Sequence, residues 1–396
     1  GAGDADTAGA EAPEPALADL APAAFGGAAA PGGGASDADA GPPTDLRAAL
    51  QQAQRADSKV PPFTAECLHH FATGAHFSWP DWLRPEELRD AGGRRPEEPG
   101  YDPGTLLIPG ERALKESGHG TPMMQQYWKV KAAHFDKVAL FKVGRFYEIM
   151  YYDAFIAHRE CELRWMGAEK KPHVGFPETA KHAYAKQLVD AGYKVVVVEQ
   201  VERVTEKKER GSSTGPACVE RGACEVFTKG TVVEPGMLGS SGARYMAYLH
   251  FEEQAAAAGE ARRALAFSAC LVDAATSQIY VGRIADAADR NALRTLLAQV
   301  QPSEVVYSAL NVPADVLGLL RRLPSRPQLS PLRGERSAMA ARNRLAQLRA
   351  AHPGRITEAV EAALAEEGPA IAAAGAAEYL EAVLLGQRVL PFASWQ

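Results

Sequence analysis

Gly144-Arg145-Phe146-Tyr147-Glu148 follows directly on a strand-like run, Val138-Ala139-Leu140-Phe141-Lys142-Val143, and its reading decides how the chain is organised. A glycine at the end of a strand lets the backbone bend, so the aromatic behind it can be presented rather than buried. On a second strand over 146–151, Phe146 and Glu148 share one face and Tyr147 takes the other. An apolar wedge beside an acid and a base suits a surface that probes unstacked bases in a duplex. The triplet by itself also fits an ordinary core strand, so its surroundings decide.

Those surroundings are mixed α/β. Residues 123–135 have helical spacing, with Pro122 suited to a first helical position. Residues 180–191 read as a short helix closed by Gly192 at a left-handed cap. The run 193–198 holds four consecutive valines and reads as a buried strand, with a further strand over 226–233. The charged, Gly/Ser-rich insert 203–222 reads as a surface loop. A second unit opens near residue 263. Strands 264–273 and 278–284 form a hairpin around Ala274-Ala275-Thr276-Ser277. A helix over 287–300, a strand over 304–307 and a helix over 313–322 complete a small α/β layer. After Pro331 the pattern turns helical and Ala-rich, over 334–350, 356–366 and 376–390.

Composition sets outer bounds. The chain has 396 residues, 46% of them hydrophobic, enough for two or more domains with cores of their own. Its net charge of -6 hides an asymmetry, because the acids of 1–45 (Asp4, Asp6, Glu11, Glu14, Asp19, Asp37, Asp39, Asp45) face no Lys or Arg there. Residues 1–60 cannot bury enough apolar surface to offset their ordering entropy and read as a disordered tail. Residues 61–118, with Trp79, Trp82 and a Pro-rich run, are expected to lie irregularly against the next domain. Cys67, Cys161, Cys218, Cys224 and Cys270 are few and irregularly spaced, which reads as reduced and intracellular, with no metal set. No stretch approaches the roughly 20 apolar residues of a membrane helix.

Several separated motifs occur in order: Thr121-Pro122-Met123-Met124-Gln125-Gln126-Tyr127, Lys142-Val143-Gly144-Arg145-Phe146-Tyr147-Glu148, Gly175-Phe176-Pro177-Glu178, Gly192-Tyr193-Lys194-Val195, Val198-Glu199-Gln200 and Thr228-Lys229-Gly230-Thr231. Together they resemble the amino-terminal region of the MutS family of DNA mismatch-repair proteins. The stretch from Trp79-Pro80-Asp81-Trp82-Leu83 to Tyr101-Asp102-Pro103 resembles the leader of the eukaryotic mispair-recognising large subunit. The resemblance implies an α/β multidomain fold class, with a disordered N-terminal tail over 1–60 and an irregular leader over 61–118. A mixed α/β mismatch-recognition domain follows over 119–240, then a ribonuclease-H-like connector domain over 263–330. Residues 331–396 are expected to begin an all-helical core or lever region.

The implied function is recognition of mispaired bases and small loops in duplex DNA, by inserting an aromatic wedge and kinking the duplex. Phe146 would be the wedge and Glu148 would contact the mispaired base. Lys142 and Arg145 flank them and could meet phosphate or sugar oxygens, while Val143 could pack on the groove wall. Met166 would sit beside the mispair, where a soft side chain fits varied bases; core packing is the competing reading. Lys170, Lys171 and His173 form a small basic cluster, and Gly175-Phe176-Pro177 reads as a structural turn. The expected partners are mismatched double-stranded DNA and a second MutS-family subunit, with a sliding clamp or chromatin as options for the tail. No membrane is expected, and the expected location is the nucleus.

Catalysis and cofactors are not expected of these residues. ATP and Mg²⁺ belong to the family's full-length form, and no Gly-Lys pair occurs here to build a phosphate loop. Two rivals stand beside this reading: a truncated paralogue that binds repair partners without gripping mispairs, and a ribonuclease-H-like nuclease. Asp273, nearly alone on its sheet, speaks against the second.

Overall fold

The computed structural model describes residues 78–84, 86–166, 171–202, 218–237, 244–253, 265–333 and 337–396. The tail expected over 1–60, Lys170 and most of the 203–222 insert lie outside them. Two mixed sheets organise the described chain.

The first sheet runs in the order β3-β2-β1-β4-β5: β1 is Lys137–Val143, β2 Phe146–Met150, β3 His173–Pro177, β4 Lys194–Gln200 and β5 Arg221–Phe227. Central β1 and β4 pair in parallel and are buried through their middles, as their unbroken apolar runs require. Helix α1 (Glu111–Glu116) belongs to the leader, and α2 (Pro122–Ala133) packs its Tyr127 ring 5.6 Å from Phe141 on one face. Thr121 caps α2 by accepting the Met124 N–H, with Pro122 in the first turn where no donor is needed. Helix α3 (Tyr152–Glu160) brings buried Asp153 to Lys131 of α2 at 2.9 Å and to the Ala139 N–H at 2.9 Å. On the other face α4 (Lys181–Asp190) places Tyr184 4.5 Å from Phe176, and Gly192 turns the chain at φ 96°. The leader lies on this domain through its tryptophans: Trp79 against Tyr152 at 4.9 Å and Trp82 against Trp128 at 5.2 Å.

Two sequence expectations shift here. Gly175-Phe176-Pro177 is the end of edge strand β3, not a turn. The strand expected over 226–233 is β5, which starts earlier and stops at Phe227, because Arg221 and Gly222 pair with Gln200 and Glu199. Thr228 to Thr231 then make a turn of their own, with the hydroxyls 2.6 Å apart.

The second sheet runs β10-β9-β6-β7-β8-β11, with β6 Tyr245–Glu253, β7 Leu265–Asp273, β8 Gln278–Asp286, β9 Glu304–Ser308, β10 Gln328–Leu332 and β11 Ser394–Trp395. The central strand β6 lies outside the 263–330 span expected for this unit. Covered on both faces, it lacks the alternation that betrays a half-buried strand: Met246 and Tyr248 serve one core, Leu249 and Phe251 the other. Helices α5 (Asn291–Val300) and α6 (Ala314–Leu320) close the Leu249 face with Leu293, Leu297, Val316 and Leu319.

The Ala-rich helices that follow are α7 (Ala338–Ala351), α8 (Glu358–Leu364), α9 (Glu367–Ala382) and α10 (Gly386–Val389). The helix expected over 376–390 is instead the end of α9, a break at Leu384 (φ 59°), and α10. The segment 331–396, expected to begin a lever, packs in part on the second sheet. Helix α9 lies along β6, β7 and β8, and β11 pairs with Gln278 and Ile279 on the outer edge of β8. Its composition follows from that contact. A Cβ on Gly375 would collide with the Tyr248 ring and one on Gly368 with Glu252. Only small residues let a helix lie so close to a sheet.

A buried carboxylate stands where the two sheets meet. Glu304 of β9 accepts hydrogen bonds from the Thr228 hydroxyl, the Gly230 N–H (3.2 Å), the Ser330 hydroxyl (2.6 Å) and the Tyr379 hydroxyl of α9. Gly230 must be glycine, since a Cβ there would stand 2.6 Å from Glu304 Cβ.

Candidate functional site

The hairpin β1–β2 turns in two residues, Gly144 and Arg145, with Val143 paired to Phe146, Lys142 to Tyr147 and Phe141 to Glu148. Gly144 holds φ 60° at the first central position, the placement a type II′ hairpin turn demands. Register then sorts the side chains. Val143, Phe146 and Glu148 share one face of the sheet, with Phe141 deeper on it; Lys142 and Tyr147 share the other.

Phe146 is 43% exposed, at the end of a sheet whose other aromatics are buried. A single exposed phenylalanine is ordinary; its company makes it informative. Glu148 is opposite Gly175 of β3, and a Cβ on Gly175 would stand 2.7 Å from Met166 Sδ and 2.9 Å from the Tyr147 carbonyl oxygen. The missing side chain is therefore the space Met166 fills, over the residue paired with Glu148. Met166 is tied down by its N–H, which donates to the His173 carbonyl at 3.0 Å, beside the Trp165–Val174 bridge. Phe146, Glu148, Val143 and Met166 thus converge on one face around the hairpin tip, and Arg145 is exposed on the turn.

Lys142 does not join them. Strand alternation carries it to the opposite face, where its ammonium pairs with Glu178 and lies 4.7 Å from the Tyr147 ring centroid. The Lys142 pair holds the Glu178 carboxyl below the usual range. Beyond it, the Tyr147 hydroxyl donates to Glu199, and Lys181 reaches Glu199 at 3.7 Å and Glu225 at 3.1 Å. Burial first, and then Glu199, push the Tyr147 hydroxyl far above its ordinary value. On this face Lys142 and Lys181 are each paired with a carboxylate of the chain itself. The basic cluster also thins: His173 is buried on β3, its Nδ1 3.3 Å from the Lys171 carbonyl oxygen.

One residue near the site escapes sequence reading. Arg221 places its guanidinium 5.5 Å from the Phe141 ring and donates Nε–H to the Lys142 carbonyl at 2.7 Å. Assigning 203–222 to a loop hid it; a basic residue just before the alternation of 223–227 was the available signal. Among the described residues no group of three or more His, Cys, Asp or Glu is placed to hold a metal ion. Cys218 accepts a hydrogen bond from Gln126 at 3.1 Å, and Asp273 caps its own turn through the Ala275 N–H and the Thr276 hydroxyl.

Comparison with known proteins bears on this site. Residues 121–235 match the family model for MutS domain I, which contains the whole hairpin. The chain is 38% identical over 226 residues to the DNA mismatch repair protein MSH6 of Arabidopsis thaliana, covering 56% of this chain and 16% of that one. It is 33% identical over 248 residues to the DNA mismatch repair protein Msh6 of Homo sapiens, covering 61% and 18%. A bacterial DNA mismatch repair protein MutS, from Caldanaerobacter subterraneus, is 29% identical over 191 residues, covering 47% and 20%. The chain therefore spans about a fifth or less of the length of these relatives.

Proposed function

The chain belongs to the MutS family and is Msh6-like within it, and from that premise we propose that it recognises mispaired bases in duplex DNA through the β1–β2 hairpin. Phe146 enters from the minor groove as a wedge and stacks on a base. Unstacking a step costs a few kcal/mol and least at a mispair, which is already poorly stacked. Discrimination then comes from the ease of deforming the duplex rather than from reading its sequence. Glu148, on the same face, meets the edge of the mispaired base, and Met166 supplies a soft wall that fits purines and pyrimidines alike. Val143 lines the groove, and Arg145 on the turn meets the sugar-phosphate backbone.

The observation that carries this reading is the exposed Phe146 at a hairpin tip with Glu148 and Met166 converging on its side of the sheet. The wider assignments follow the same premise. The chain works in the nucleus, beside a second MutS-family subunit that supplies sequence-independent backbone contacts. The second sheet, three antiparallel strands (β6, β7, β8) followed by parallel β9 and β10 across helices, supports the ribonuclease-H-like connector reading.

The test is competition between a G·T duplex and its matched counterpart. Stacking of a base on an aromatic is worth about 1–3 kcal/mol, so Phe146→Ala should cut mispair preference about five- to 150-fold. Weak, salt-sensitive binding to either duplex should remain. Unchanged preference would sink the wedge and favour a chain that binds repair partners alone.

A further inference from the structure

The motif Gly175-Phe176-Pro177-Glu178 leaves its last residue without a role in mispair recognition. We propose that Glu178 is a positioning residue for the wedge: its main chain and its carboxylate together brace the tip of the β1–β2 hairpin from the face away from DNA. The inference rests on the reading of Phe146 as the wedge.

The tip needs a brace because little else packs against it. A Cβ built on Gly144 would meet nothing within 4 Å, Arg145 is exposed, and Phe146 is not in the core. An aromatic that must enter a base stack has to be held to about half an ångström. Ladder bonds at the end of a hairpin are the first to fray.

Glu178 closes that end twice. Phe146 pairs with Pro177, the last residue of edge strand β3, which has no N–H to give. The Glu178 N–H, one residue further, donates to the Arg145 carbonyl at 2.8 Å. That bond spans the pair from i−1 to j+1, so Phe146 and Pro177 form a non-hydrogen-bonded pair, where proline costs the ladder nothing and facing side chains stand closest. The Glu178 carboxylate then passes behind β2 to accept from Lys142 on β1. The residue just past the end of β3 thereby ties the turn and β1 together. The geometry is asymmetric: the Glu178 side chain is 45% exposed, whereas Lys142 is 10% exposed beside Tyr147. Removing the carboxylate leaves the lysine almost buried without its partner. It must leave the Tyr147 ring to find water, and the strand that carries Val143 into the turn moves with it.

The experiment compares Phe146→Ala, Glu178→Ala and Glu178→Gln in the 396-residue chain. It reads affinity for G·T and matched duplexes and the thermal unfolding midpoint. Glu178→Ala should lose about five- to ten-fold of mispair preference, keep matched-duplex affinity within about two-fold, and unfold within about 2 °C of the parent. Glu178→Gln still offers Lys142 an acceptor and should recover at least half of the lost preference on a logarithmic scale. If Phe146→Ala loses preference and Glu178→Ala does not, the brace is wrong and the wedge stands. If Phe146→Ala keeps full preference, the wedge reading fails and the brace with it. A Glu178→Ala chain that weakens on both duplexes and melts well below the parent, or a Gln variant that rescues nothing, would mark a general structural role and overturn the proposal.

Discussion

The hairpin tip and the Glu304 junction are built on opposite plans. At the tip Phe146 is 43% exposed, the turn glycine has open space around it, and the glutamate that ties it off is half in water. At the junction Glu304 is fully buried and accepts from four donors drawn from the Thr228–Thr231 turn, β10 and α9. Under the proposed function, the contrast separates recognition, at the tip, from stability, at the junction. Recognition needs surface left uncovered, so the tip gives up part of the 1.5–3 kcal/mol or so that burying a phenylalanine would contribute. Cohesion between the two sheets needs polar groups fully satisfied, so the junction tolerates no gap.

The largest effect should follow from emptying the junction. Glu304→Ala leaves the hydroxyls of Thr228, Ser330 and Tyr379 and the Gly230 N–H without their acceptor, which should destabilise the fold by about 3–5 kcal/mol. Urea unfolding would read it, and a loss below about 1 kcal/mol would break the contrast. Where Glu304→Ala stays folded, its preference for mispairs should be intact. Next comes Gly375→Ala, which drives a methyl into the Tyr248 ring beneath α9 and should cost about 1–3 kcal/mol by overpacking. Phe146→Ala should cost under about 1 kcal/mol by the same urea assay, because the side chain is already partly in water. A larger loss would make Phe146 a core residue after all.

A further prediction concerns acid. His134 follows the last residue of α2, its Nδ1 buried with no hydrogen-bond partner among the described residues. Burial, then the charge of Lys137, push its imidazole down to about 4. The unfolded chain takes up this proton near pH 6.5 and the folded chain declines it. Stability is therefore complete above about pH 6.5 and drains as pH falls towards about 4. Urea midpoints taken across that window should fall, and His134→Asn should flatten the slope; an unchanged slope would contradict the assignment.

Much of the first sheet was legible because its strands announce themselves. The valines of 195–198 and the apolar 138–143 run are buried on both faces, and the Gly144 turn sits where the glycine lies. Strand β6 was not legible, because a strand covered on both sides reads as an unpatterned mixture of Tyr, Met, Leu, His and Phe. Helix α9 was misplaced for a related reason: its alanines and glycines record a close fit to a sheet that local pattern does not show. In the hairpin, period-two alternation put Phe146 and Glu148 on one face, and the same alternation should have sent Lys142 to the far face. The Glu178 brace needed three dimensions, since its partners come from β1 and from the turn.

The central claim is that Phe146 itself opens the stack. The direct measurement is the fluorescence of 2-aminopurine placed beside a G·T mispair, a base analogue quenched while stacked. Binding of the parent chain should raise the signal, binding of Phe146→Ala at saturating concentration should not, and a matched duplex should stay dark with either. An equal rise with parent and Phe146→Ala would contradict the account, because the duplex would then be opened by something other than the hairpin tip.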